Sequence, residues 1–148
     1  MKRSLILLPL FLIACAGFVP YQTEWKTEKK GDVFHAVING KASEKAISVG
    51  SIGMKISTCT QAVQILSTSQ TITKQLVDNE KESLGVSELN HLSRLISNYK
   101  IQPELLICQS TSPKSFFGSS EWETCQCLYA VPYPGGRKQL KEDIANSK

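Results

Sequence analysis

Two periods of apolar residues alternate along the chain from residue 33 onward. Val33-Phe34-His35-Ala36-Val37-Ile38-Asn39 is short, rich in strand formers and closed by Asn39-Gly40, so it predicts a first strand followed by a turn. Between residues 42 and 66 the period lengthens. Ile52, Ile56, Cys59, Val63 and Leu66 recur at four, three, four and three, the spacing that lines one face of a helix. Ala42, Ala46, Gly50 and Gly53 form a small-residue stripe beside it. Glycine inside a helix costs about 1 kcal/mol relative to alanine, so these glycines are expected where the helix backbone approaches a sheet closely. Ser43 or Asn39 supplies the cap, with Glu44 in the first turn.

Thr68 to Thr73 is rich in Ser and Thr, and Lys74 to Glu82 is strongly charged; together they read as a break between helices. Ser87 to Tyr99 predicts a second helix, with Ser87 as cap and Leu89, Leu92, Leu95 and Ile96 on one side, His91 and Arg94 off it. After Pro103, Glu104 to Gln109 predicts a second strand, and Thr111 to Ser120 a loop with Pro113 and Gly118. Trp122 to Val131 alternates as a third strand with Cys125, Cys127, Tyr129 and Val131 on one face, pairing with the second as an antiparallel hairpin. Pro132 to Gly136 ends it, and Arg137 to Asn146 predicts a closing helix with Leu140 and Ile144 inward. The expected class is α+β: a small antiparallel or mixed sheet of about three strands, covered on one face by helices, in the order strand, helix, helix, strand, strand, helix.

The first fifteen residues follow other rules. Lys2 and Arg3 precede Leu5 to Ile13, an apolar run of nine residues interrupted by Pro9. At 1.5 Å per residue such a run covers under half of a hydrocarbon core of about 30 Å, so it reads as a secretory signal rather than a permanent span. It ends in Leu12-Ile13-Ala14-Cys15, which resembles the lipobox of bacterial lipoproteins. That resemblance implies removal of residues 1–14, a diacylglycerol on Cys15 and further acylation of the freed amine, palmitate being the expected label. The alternative is an ordinary signal peptide cut after Ala16 or Gly17. Each buried methylene contributes about 0.8 kcal/mol, and two or three acyl chains hold a protein stably at a bilayer. By resemblance to lipoprotein sorting, Ala16 after the anchor implies the outer membrane. Residues 15–31 then read as lipidated cysteine and tether, opposed to regular structure at Pro20, with Phe18, Tyr21 and Trp25 at headgroup level, packed on the domain or disordered. Residues 32–148 make a single domain.

Composition adds exclusions. Removing 14 residues from 148 leaves 134, enough for one core. Hydrophobic residues at 41% and charged residues at 20% are ordinary globular values. The formal charge of +4 shrinks without Lys2 and Arg3, leaving 15 basic against 13 acidic side chains. Lys29-Lys30 and Arg137-Lys138 are isolated surface pairs, so no nucleic-acid partner is expected.

Four cysteines remain after Cys15: Cys59, Cys108, Cys125 and Cys127. An even number in an exported chain points to disulfides. A Cys125 to Cys127 bridge would distort one strand, so one of them is expected to reach Cys108 on the partner strand or Cys59 on the covering helix. A Cys59 to Cys108 link, closing about 50 residues, would stabilise by about 4 kcal/mol in the chain-entropy model. The alternative is four small apolar thiols. A zinc site or thioredoxin-like motif would ask for two residues between paired cysteines, where this chain has one, so no metal or cofactor is expected. His35 and His91 lie in no catalytic motif, and Gly135-Gly136-Arg137-Lys138 lacks P-loop spacing.

The element order resembles the outer-membrane lipoprotein family of the Lpp-twenty type and the N-terminal domain of the flagellar assembly protein T, over Val33 to Ala62 and Ile107 to Leu140. The resemblance implies a small envelope module and supplies no catalytic residues. The expected function is a non-enzymatic envelope lipoprotein, held to a membrane by lipid and binding another envelope component or its own copies. A periplasmic small-ligand module and an envelope hydrolase or thiol oxidoreductase are the alternatives.

Overall fold

The alternation at Cys125, Cys127, Tyr129 and Val131 runs through the middle of the sheet. In a computed structural model describing residues 19–29, 31–98, 102–112 and 121–146, the chain is α+β, with a four-stranded antiparallel sheet. The strands are β1 (Glu24–Glu28), β2 (Gly31–Lys41), β3 (Glu104–Ser110) and β4 (Thr124–Pro132), in the order β1-β2-β4-β3. Phe34, Ala36, Ile38 and Gly40 of β2 stand opposite Val131, Tyr129, Cys127 and Cys125 of β4. This period-two set forms the sheet's contribution to the core.

Residues 24–28, assigned to the tether from sequence, are the additional strand β1. Its signal was thin because three of its five residues are charged, while Trp25 alone supplies a large inward side chain, packed on Phe34 with ring centroids 5.4 Å apart. The predicted long helix is two, α1 (Glu44–Val49) and α2 (Ile52–Leu66). Gly50 at φ 73° closes α1, and the Ser51 hydroxyl caps α2 by accepting from the Met54 amide. Gly53 has open space around it, so neither helix glycine serves close packing. That role belongs to Gly40 on the strand, where a Cβ would lie 2.6 Å from Val63 Cγ2 and 3.0 Å from the Cys59 carbonyl. The buried stripe of α2 accordingly runs through Lys55, Cys59 and Val63, leaving Ile52 and Leu66 nearly half exposed.

The predicted break at 68–82 is a helix, α3 (Ser69–Glu80). Its Ser/Thr-rich start is a cap: Thr68 accepts from the Thr71 amide at 3.3 Å. Ile72 and Leu76 are buried while Lys74 and Asp78 face solvent. Next, α4 (Val86–Asn98) buries Leu92 and Ile96, but Ser87 lies inside it rather than capping it; Glu88 reaches back to the Gly85 amide at 2.9 Å instead. Finally α5 (Gly136–Asn146) turns Leu140 and Ile144 inward. Among the described residues, no helix is long and apolar enough to cross a membrane.

Glu80 joins three elements at the margin of this core. Only 1% exposed, it accepts from Trp25 Nε1 of β1 at 2.8 Å, from Ser83 Oγ at 2.8 Å, and from Arg137 Nε and Nη2 of α5 at 2.8 and 3.2 Å, with Lys141 Nζ at 3.9 Å. Burial by itself would raise its pKa. The hydrogen bonds from Arg137, Ser83 and Trp25, with the Arg137 charge, outweigh that, and the carboxyl titrates below the ordinary glutamate range. A carboxyl lowered in the folded state stabilises fully above its unfolded pKa and stops doing so as pH falls through the folded one. Glu80→Ala is therefore expected to cost about 2–4 kcal/mol at neutral pH. Urea titrations should show this difference shrinking below about pH 4, because acid removes the same charge from the parent protein.

Candidate functional site

The sheet face turned away from the helices carries an arrangement that no single segment announces. Strand alternation places Asn39 of β2, Gln126 of β4 and Gln109 of β3 in one register row, an amide ladder across three strands. Gln126 Nε2 donates to Asn39 Oδ1 at 3.2 Å. The row also holds the amino-terminal segment. The Tyr21 amide donates to Gln126 Oε1 at 2.6 Å, and Gln109 Nε2 donates to the Val19 carbonyl at 3.0 Å. Asn79 of α3 donates to the Thr23 carbonyl at 3.2 Å. Residues 19–23 thus lead from β3 across the ladder toward α3 before entering β1. Backbone groups of an extended segment without a strand neighbour would otherwise need water; these side-chain amides supply their partners.

Gln75 of α3 performs a related task where β1 has ended. Its Oε1 accepts from the Val37 amide at 3.0 Å and its Nε2 donates to the Val37 carbonyl at 2.6 Å, closing β2's edge as a strand would.

Cys15 lies outside the described residues. The other four cysteines are joined, Cys59 to Cys125 and Cys108 to Cys127. The first bridge pins α2 to β4; the second joins directly opposed residues of β3 and β4. The Cys59 to Cys108 pairing weighed from sequence is not formed, because Cys108 faces Cys127 across the hairpin while α2 passes over Cys125, two residues away on the same face of β4. The described chain thus carries no free thiol, and no group of three potential metal ligands occurs among the described residues.

His35, 6% exposed on the outer face, has neither ring nitrogen in a hydrogen bond; Glu28 Oε1 stands 3.6 Å from Nε2. His91 is half-buried on α4. Arg137, at the glycine turn that opens α5, is committed to Glu80. Grooves of about 420 Å³ lie between α3 and α4, lined by Thr73, Val77 and Ser93, and at the sheet end, lined by Val33, Leu106 and Ala130. Neither is lined by α2, whose interface with the sheet is filled by Gly40, Cys59, Val63 and the first bridge.

Compared with protein-family models, curated proteins and solved structures, the chain matches none. The two bridges differ in the loop they close, 66 residues for Cys59 to Cys125 and 19 for Cys108 to Cys127. In the chain-entropy model they stabilise by about 4 and about 3 kcal/mol. Guanidinium melts of the paired variants Cys59→Ala/Cys125→Ala and Cys108→Ala/Cys127→Ala should therefore rank the first as the more damaging.

Proposed function

We propose that this chain is a non-enzymatic bacterial envelope lipoprotein, anchored by lipid on Cys15 and serving as a binding or structural module, at the outer membrane. The observation that carries the reading is Leu12-Ile13-Ala14-Cys15 standing directly after a charged start and a nine-residue apolar run. Further support comes from the cysteines: four thiols in two bridges suit an exported chain in an oxidising compartment.

The binding half of the reading draws on exposed apolar side chains. Val49 is 61% exposed and Ile52 45%, where α1 gives way to α2. Single exposed apolar residues are ordinary, but neighbouring ones at a helix junction are what an envelope partner or a second copy would cover.

Cells fed labelled palmitate test the anchor. The parent protein should carry label and sediment with membranes, whereas Cys15→Ala should lose the label and stay with its uncleaved leader or appear in soluble fractions. An unlabelled parent protein whose amino terminus begins downstream of Cys15 would refute the reading.

A further inference from the structure

The ladder that holds residues 19–23 also fixes the place of Val19, the first described residue. Val19 is bound through its carbonyl to Gln109 of β3, and β3 is an edge strand, with no neighbour beyond it among the described residues. Two residues before Gln109 on the same outer face, Ile107 stands opposite Leu128 and is 52% exposed. Leu106, the extra residue beside it, is 46% exposed and Val19 itself 77%, whereas Leu105, opposite Tyr129, belongs to the other face. Gln109, which holds Val19, is thus only about 7 Å along the strand from Ile107.

Cys15 is four residues before Val19. Even fully extended, four residues span at most about 14 Å, so a lipid on Cys15 leaves the β3 edge little room to stand away from the bilayer. Resting on the anchored reading above, we propose that Leu106, Ile107 and Val19 lie against the membrane at the boundary between headgroups and acyl chains. Two strand side chains are too few to recruit a protein from solution. The covalent anchor makes their insertion an intramolecular step at high effective concentration, and a small apolar surface then suffices.

A strand from a second copy is the competing occupant of a free edge. The register of β3 against β4 shifts between Leu105 and Ile107, leaving Leu106 as a bulge in the middle of that edge. A bulge interrupts the regular row of donors and acceptors that strand addition requires, and it is a common device for blocking it. A bilayer imposes no register, and at headgroup depth the edge's unpaired backbone groups keep water and phosphate partners while the apolar side chains reach the acyl boundary, which favours it as the occupant.

The test uses the full lipidated protein, purified from membranes and reconstituted into phosphatidylethanolamine and phosphatidylglycerol vesicles containing a phospholipid with a photoactivatable acyl chain. Palmitate on Cys15 is measured first. Peptide mapping after illumination should place lipid adducts in the peptide carrying residues 104–110. Leu106→Glu/Ile107→Glu should reduce those adducts at least tenfold while palmitate content and vesicle flotation stay unchanged. Palmitoylated protein whose adducts fall on α1 and α2 instead, or whose β3 crosslinks to β3 of a second copy, overturns this inference and leaves the anchor standing. Protein without palmitate overturns both. The unsubstituted protein's adduct map decides the question even where the double variant does not fold.

Discussion

Everything in this molecule is built on the inward face of β4. Strand alternation sends Cys125, Cys127, Tyr129 and Val131 to one side, and it thereby forbids the two cysteines from pairing with each other. Each must find a partner on another element. Cys125 takes Cys59 of α2, and Cys127 takes Cys108 of β3, so the central strand is bonded covalently to the layer above and the strand beside it. A domain of this size with one sheet layer and one helix layer has a modest core, and crosslinks that restrict the unfolded chain add most where burial alone contributes least. The Cys59 bridge further demands that α2 descend onto the sheet, and Gly40, with no side chain to hold α2 away, permits it.

At the margin of its apolar core the second layer is closed by polar contacts. Glu80 collects β1, α3 and α5 through Trp25, Ser83 and Arg137. A buried carboxylate is tolerable here because each contact is a donor, two of them from a guanidinium whose other side reaches solvent. Gln75 does the same without charge, taking both backbone groups of Val37 where no strand is available. In both cases a long polar side chain of α3 is bonded to the sheet, Glu80 to a side chain and Gln75 to backbone, so that polar positions beside Ile72 and Leu76 also hold the helix in place.

Local signals made most elements legible. The hairpin of β3 and β4, the inward set of β4, the helix at 86–98 with Leu92 and Ile96, and Leu140 and Ile144 of α5 all follow from period and punctuation within one segment. What escaped was set by register between segments. Ile52 has helical spacing with Cys59 yet lies at the first position of α2, where Gly50 has already ended the preceding helix. Lys55 occupies the buried stripe because Glu123 is 3.6 Å from its Nζ, a pairing that no spacing within α2 encodes. The Asn39, Gln126 and Gln109 row is invisible until three strands are aligned, since each amide taken alone is an unremarkable polar position in a strand.

That row bears on how an anchored domain would be held. An apolar face would bind residues 19–23 by area alone and allow the segment to slide, because apolar contact is not directional. Amides that accept from the Tyr21 N–H and donate to the Val19 carbonyl specify which residue sits on which strand. On the anchored reading, the lipid fixes one end of the segment at Cys15 and the ladder fixes the other at Val19, with three residues between. A flexible linker of the length first expected, reaching from residue 15 to 31, would decouple the domain from its anchor. Three residues cannot, so the polarity of the outer face, which looks unsuited to membrane attachment, is what would pass the position of the lipid on to the fold.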